Sequence, residues 1–405
     1  PKRYEYTMEE VLPQGANETN HYTVNGITYD PAKYTIQLDI YIQKVDGKDT
    51  VVVDRIYLNA EGTVVEVPVF RNSYKADPVT LTGETALKGD KTLTGRDIKD
   101  GEKFDFTLTA GDDSTAEAIE AGIIEIATGA DSASVTGSVD EDTAAGFNFG
   151  DVIFTKEGTY TFDIKETVPD PKAGGMTYDR HTAKATVVVT DDGNGQLEAA
   201  VSYDNGTVSD ASDRAVFKNK YEASHAYSTS GGLNVEKVLN GRTMKAGEFT
   251  FTITPAEDAP AISDSDMSFT NTRKGSGIVD VMQKLQGLVF TQADAGKTYI
   301  YTVAETAGKL SGVKYDGTVY TVAIKVIDNG DGTMHTVTTI TWTAADGSEQ
   351  TAVYDSSSAD AGTPAVRFNN SYKAADADPV DITEGFQKVL KGREWKDSDS
   401  FIFTL

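Results

Sequence analysis

The sequence predicts an all-β protein: tandem β-sandwich domains in an elongated array, two complete and two partial. Three observations predict it. Short runs of alternating apolar and polar residues, rich in Tyr, Phe, Thr and Val, are separated by Asp/Gly/Asn clusters along the whole chain, as in sandwiches. A set of strand signatures recurs at a spacing close to a whole domain. Helical periods are scarce: only "DSTAEAIEAGII" (113–124) and "GIVDVMQKLQGL" (277–288) are expected as short helices in connections. At 405 residues the chain exceeds one ordinary core, which calls for several domains.

The signatures justify each domain in turn. A lysine signature reads "GDKTLTGR" (89–96), "VEKVLNGR" (235–242) and "FQKVLKGR" (386–393). A glutamate signature reads "YEYTMEEVLP" (4–13), "YTFDIKETVP" (160–169) and "YIYTVAETAG" (299–308). An asparagine signature reads "VFRNSY" (69–74), "VFKNKY" (216–221) and "RFNNSY" (367–372). Between the last two come "YDPAKYTIQLDI" (29–40), "YDRHTAKATVVV" (178–189) and "YDGTVYTVAIKV" (315–326). Lys91 and Lys237 are 146 residues apart, and Lys237 and Lys388 are 151 apart. That period is far too long for a solenoid repeat and fits an array of autonomous domains.

The order lysine, glutamate, asparagine defines complete domains at 77–222 and 223–374. Residues 1–76 hold only the later two signatures, the back part of a preceding domain, and 375–405 only the opening strand of a further one. The expectation is a piece of a longer array. The joints "NSYKADPV" (72–79) and "NSYKAADADPV" (370–380) place Pro after a short polar stretch, as short, semi-stiff linkers do. The joint "YEASHAYSTSGG" (221–232) is longer and richer in Ser and Gly.

A formal net charge of −26 makes nucleic acid and anionic membrane surfaces poor partners, since both need basic patches. No apolar run is long enough to span a bilayer, and no signal peptide or sorting tail is visible. There is no cysteine, so the chain is either intracellular or extracellular and braced by something other than disulfides.

Strand parity puts three polar residues where the core belongs. Glu166 is in phase with Tyr160, Phe162 and Ile164; Glu10 and Glu305 repeat the placement. Lys91 is in phase with Leu87 and Leu93, Lys237 with Leu233, Val235 and Leu239, and Lys388 with Phe386 and Leu390. Asn72, Asn219 and Asn370 each sit between an in-phase Phe and Tyr. Successive residues of a strand face opposite sides, so each domain is expected to bury one Lys, one Glu and one Asn. Desolvation lowers a lysine's pKa and raises a glutamate's. A neutral lysine Nζ is a nucleophile, and a protonated glutamate could donate to the Asn carbonyl and shuttle a proton to departing ammonia. The product is a Lys–Asn side-chain amide, with proximity in a dry site supplying the rate. A buried Lys–Glu ion pair with Asn as hydrogen-bond partner is the competing reading. It has no need for Asn, and three repeats preserve type, order and phase.

These motifs resemble the intramolecular-isopeptide pilin repeats of Gram-positive surface proteins, especially streptococcal major pilins and related multidomain adhesin stalks. The segments "GFNFGDVIFTKEGTYTFDIKE" (146–166) and "LQGLVFTQADAGKTYIYTVAE" (285–305) share the likeness. The resemblance implies an Ig-like sandwich whose first and last strands are covalently tied. Carried over, Lys91 would bond to Asn219 with Glu166 assisting, and Lys237 to Asn370 with Glu305 assisting. Glu10 would assist at Asn72, whose lysine precedes residue 1, and Lys388 would belong to a following domain. Asn72 and Lys388 should therefore be unpaired in this segment. "ETAG" in the third glutamate signature departs from the Val/Leu-Pro ending of the others.

The implied function is a structural stalk segment of a cell-surface adhesin or pilin-like protein, extracellular and attached to the cell wall. Its partners would be neighbouring domains of the same chain. The chemistry is self-directed and single-turnover, so no enzyme is expected. The rival function is an adhesin module gripping a host glycan or protein through loops around 257–275 or 350–363, but those are Ser/Asp/Ala-rich. Four scattered histidines have no paired-ligand spacing, so no metal or cofactor is expected. "TDDGNGQ" (190–196) and "DNGDGT" (328–333) do not fit EF-hand spacing and read as hairpin turns. Arg96, Arg242 and Arg393 follow a turn glycine and are expected, exposed, to brace that turn; Lys88 is out of phase and set aside.

Overall fold

Alternation of apolar and polar side chains produces the expected strands, and the pleat sorts them into faces. The computed structural model describes residues 1–137, 144–206, 213–376 and 387–404. Its first unit comprises Pro1–Ser224 with Thr291–Ala295 and Asp328–Met334; its second comprises His225–Phe290, Gly296–Ile327 and His335–Leu405.

In the first unit, a five-stranded sheet runs in the order Ser132–Thr136, Lys103–Ala110, Gly158–Glu166, Ala183–Asp191, Leu197–Asp204. A four-stranded sheet runs Ala144–Asn148, Lys88–Thr94, Ala215–Tyr221, Met176–Thr177. Phe104, Phe106, Phe162, Ile164 and Phe217 are buried in this fold, and Phe106 stacks on Phe147 at 3.8 Å between ring centres. The opening strand Lys88–Thr94 and the closing strand Ala215–Tyr221 lie side by side and parallel, with Lys91 opposite Phe217 and Leu93 opposite Asn219. Parallel neighbours cannot be joined by a hairpin; here the rest of the domain is the connection.

The helix expected in 113–124 forms as Asp113–Glu120. Asp112 caps it, accepting from Thr115 N at 2.7 Å and Ser114 Oγ at 2.8 Å, and it also accepts from the Thr161 hydroxyl of the glutamate strand. Those hydrogen bonds, Thr161 first, hold its carboxyl well below the usual carboxylate range. Asp112→Ala is expected to cost about 1 kcal/mol, read as a lower unfolding midpoint at neutral pH. Because the folded pKa is depressed, the wild-type advantage is fully present above the ordinary aspartate pKa of about 4 and is lost as pH falls from there through the lower folded-state value.

Residues 1–76 form a four-stranded sheet in the order Lys2–Glu9, Lys33–Val45, Lys48–Leu58, Val64–Val65, and a smaller one of Thr23–Val24, Ile27–Thr28, Ser73–Tyr74. The second unit repeats the sandwich. Its larger sheet runs Ser268–Thr270, Thr250–Pro255, Thr298–Thr306, Val319–Asp328, Met334–Thr343, Glu349–Asp355. Its smaller sheet runs Asp280–Lys284, Leu233–Asn240, Ala365–Tyr372, Val313–Lys314, again with opening and closing strands parallel.

Three expectations need correction. Residues 277–288 do not form a helix: Asp280–Lys284 is a strand, paired with Leu233–Lys237, because a sheet edge was available to satisfy its backbone. Part of the loop expected at 350–363 is strand, Glu349–Asp355. Residues 387–404 contain no strand, having no ladder partner among the described residues. Phe386 and residues 377–380 of the last joint lie outside those residues.

Candidate functional site

In the opening strand, Gly89, Lys91 and Leu93 are buried while Lys88, Asp90 and Thr92 are partly exposed. Parity alone thus carries Lys91 into the core, where its exposure is 0%. The same alternation buries Lys237 at 0%. Each ammonium stem lies against aromatic rings: Lys91 Nζ is 4.8 Å from the centre of Phe104, and Lys237 Nζ is 4.6 Å from that of Phe249. Glu166 ends its strand and Glu305 is the last residue but one of its own, and their side chains are fully covered. Asn219 and Asn370 are each 1% exposed.

The three groups meet once in each unit. Lys91 Nζ donates to Glu166 Oε2 at 2.9 Å, and Asn219 Nδ2 donates to Glu166 Oε1 at 2.7 Å. In the second unit Asn370 Nδ2 donates to Glu305 Oε1 at 2.9 Å. Lys237 Nζ lies 2.8 Å from the same oxygen, but without hydrogen-bond geometry, leaving Lys237 Nζ and Glu305 Oε2 buried and without a hydrogen bond. Burial pushes both lysine amines below their ordinary pKa and both glutamates above theirs, and the attraction within each pair only partly opposes this. Both directions are those a dry site imposes, favouring the uncharged form of each group relative to water.

One component was not recognised from sequence. Asp179 N donates to Asn219 Oδ1 at 2.7 Å, Asp316 N to Asn370 Oδ1 at 2.7 Å, and Asp30 N to Asn72 Oδ1 at 2.9 Å. A backbone N–H can only donate, so each asparagine must turn its oxygen to that loop and its nitrogen to glutamate. This corrects the expected hydrogen bond from glutamate to the Asn carbonyl. The carbonyl is polarised by the backbone, and glutamate sits between the lysine amine and the amide nitrogen. The available signal was the recurrent Tyr-Asp pair (29–30, 178–179, 315–316). The aspartate side chains fix the same loop: Asp179 accepts from Lys218 N at 2.9 Å and Asp316 from Asn369 N at 2.7 Å.

The third set is incomplete. Asn72 Nδ2 donates to Glu10 Oε1 at 2.7 Å, while Glu10 Oε2 is buried without a partner. Asn72 is exposed, contrary to the expected burial, because no described strand covers that face. Lys388 is also exposed, with Nζ 4.6 Å from the centre of the Phe401 ring. Lys88 stays out of the site, its Nζ reaching Glu84 O.

Arg393 is exposed as expected, but Arg96 and Arg242 are only partly so. Arg96 makes a forked pair with Glu102 at 2.7 and 2.8 Å, and Arg242 does so with Glu248 at 2.5 and 3.0 Å. Each guanidinium also lies over the tyrosine that ends the closing strand, 4.6 Å from the Tyr221 ring and 5.0 Å from Tyr372. The preceding glycine permits that approach: a Cβ on Gly95 would stand 2.0 Å from Tyr221 O, and one on Gly241 2.1 Å from Tyr372 O.

The model of the FctA family, the Spy0128-like isopeptide containing domain, matches residues 87–222 and again 233–373. The chain belongs to this family. It carries two copies of the FctA domain, in agreement with the tandem all-β reading and with the resemblance drawn from the motifs. Among solved structures, the major pilin protein T-13 from Streptococcus pyogenes is 16% identical, with 74% of this chain and 100% of that one covered and a TM-score of 0.25. The major pilin protein T3.2 from the same organism is 18% identical, covering 71% of this chain and 97% of its own, with a TM-score of 0.26. No curated protein matches.

Proposed function

We propose that this FctA-family chain is a structural stalk segment of a Gram-positive cell-surface adhesin or pilin-like protein, outside the cell and attached to its wall. Its domains, 77–222 and 223–374, are each tied by a self-formed amide, Lys91–Asn219 and Lys237–Asn370. The observation that carries this reading is the buried contact of lysine, glutamate and asparagine, made twice by the same positions of the repeat.

The chemistry follows from the atoms in contact. Neutral Lys91 Nζ attacks Asn219 Cγ, and the charge developing on Oδ1 is met by the Asp179 N–H. Glu166 accepts a proton from the attacking nitrogen and delivers one to Nδ2. The Cγ–Nδ2 bond breaks, ammonia leaves, and Glu166 ends as it began. Lys237, Asn370, Glu305 and the Asp316 N–H act in the same roles. Glu10 and Asn72 are the acceptor part of a third such site. Each reaction consumes its own lysine and asparagine, so there is no turnover. The amides also answer the absence of cysteine, since they brace a domain without an oxidising compartment. Among the described residues no helix is long and apolar enough to cross a membrane.

The test is the mass of the denatured intact chain. A deficit of two ammonia molecules is expected, with one restored by Glu166→Gln and the other by Glu305→Gln. A chain of unmodified mass would leave two buried ion pairs and sink the amide reading.

A further inference from the structure

Each closing tyrosine rests on a glycine, and this contact recurs three times. Lys75 N donates to Gly26 O at 2.9 Å, Glu222 N to Gly175 O at 3.0 Å, and Lys373 N to Gly312 O at 2.9 Å. The three glycines have φ of 77°, 76° and 76°. A Cβ on any of them would strike the ring of its own tyrosine, 2.8 Å from Tyr74 Cε2, 2.8 Å from Tyr221 Cε2 and 2.9 Å from Tyr372 Cε2.

Two of these glycine–tyrosine seats are filled, both within the first unit. Tyr74 donates its hydroxyl to Asp191 Oδ1 at 2.6 Å. Four residues beyond that aspartate, Gly195 presses on the seat so closely that a Cβ there would stand 2.5 Å from Gly26 N. Tyr221 donates to Asp328 Oδ1 at 2.7 Å and accepts from Gly332 N at 3.0 Å. A Cβ on Gly332, again four residues on, would stand 2.3 Å from Gly175 N. The occupant is the same motif each time, "DDGNG" (191–195) and "DNGDG" (328–332). Its aspartate also orders its own turn, accepting from Gly193 N at 2.8 Å and from Gly330 N at 2.7 Å. The carboxylate is therefore aimed before a tyrosine arrives.

The third seat is built but has no such occupant among the described residues. Gly312 and Tyr372 have the same backbone bond and ring contact, and Arg242 lies over Tyr372 as Arg96 lies over Tyr221. The Tyr372 hydroxyl makes no hydrogen bond among the described residues. We propose that Gly312 and Tyr372 are a docking site for an Asp-x-Gly-x-Gly turn of the domain that the lysine signature at 386–393 begins. In both filled seats the turn follows its tyrosine along the chain, one repeat on. A second copy is a poor occupant, because both turns of this pattern are already engaged by its own tyrosines. The inference rests on the repeat reading of 386–393 but not on the amide chemistry. A normal mass deficit with an inert seat, or the reverse, separates the two.

The experiment is titration of the labelled full chain with a disulfide-cyclised peptide spanning 186–202, followed through the amide resonances of Gly312, Tyr372 and Lys373. Saturable shifts confined to these residues are expected, with weak affinity, on the order of millimolar, which suffices for a tethered neighbour. They should vanish with Tyr372→Phe, which keeps the ring packing, and with a peptide carrying Asn for Asp191, which leaves the protein untouched. Absence of shifts, or shifts indifferent to both changes, overturns the proposal. Self-association of the chain alone through these same resonances would overturn the assignment of the occupant.

Discussion

Asn219→Ala is expected to lower the unfolding midpoint of its domain by about 10–20 °C through loss of the tie alone. The proposed tie closes a loop of well over a hundred residues, and chain-entropy reasoning for cross-links gives about 5 kcal/mol for a loop of that size. A domain of this length loses about 2–4 °C per kcal/mol. The substitution also strands the Asp179 N–H, which loses Asn219 Oδ1 as its acceptor, at a further cost of about 1–3 kcal/mol. Scanning calorimetry of the full chain reads the result, with the second domain serving as an internal reference. Asn72→Ala is the control, since that asparagine has the same loop and glutamate contacts but no lysine among the described residues. If both substitutions shift their transitions equally, the tie contributes nothing and the hydrogen bonds are the whole effect.

Gly95→Ala is the second large effect, at least about 3 kcal/mol of destabilisation. The residue has φ of 97°, costly for any side chain. The added carbon would also stand 2.0 Å from the Tyr221 carbonyl oxygen, a backbone atom that cannot swing aside. Relief requires the closing strand to slide or lift, which carries Asn219 away from Lys91. Bond formation should therefore slow together with the loss of stability, and mass spectra taken at intervals after refolding would show the ammonia deficit appearing late. Gly101→Ala is the matched control: its φ is 73°, but an added carbon meets nothing within 4 Å. It should cost only about 1–2 kcal/mol and leave the rate alone. Equal slowing by both would mean that backbone strain, not the approach to Tyr221, governs the register.

Most of the site was legible because strand parity is a strict rule. A lysine in phase with Leu93, or a glutamate in phase with Phe162, has nowhere to go but the core, and the repeat showed that this was no accident of one strand. The third set was over-read for the same reason: parity says which face Asn72 takes, but only a covering layer makes that face an interior. The Asp179 and Asp316 donors were hidden because they are backbone groups. A sequence displays side chains, and the loop that aims an N–H shows itself only by its own anchoring carboxylate. Residues 277–288 were misjudged because their apolar spacing suits a helix as well as an edge strand. What decided was the free edge of Leu233–Asn240, a partner far away in the chain. Residues 387–404 show the reverse, since a good strand pattern with no partner among the described residues makes no strand.

The parallel pairing of Lys88–Thr94 with Ala215–Tyr221 also determines how a domain carries a load. In a hairpin, the two free ends leave from the same side, and a pull opens the ladder one rung at a time. Here the opening strand starts at one end of the ladder and the closing strand ends at the other. A pull along them therefore shears every rung together. The proposed Lys91–Asn219 amide spans this ladder, at its middle on one strand and near its end on the other. Force entering the domain would leave it again through a single covalent bond, and the intervening sheets would stay slack.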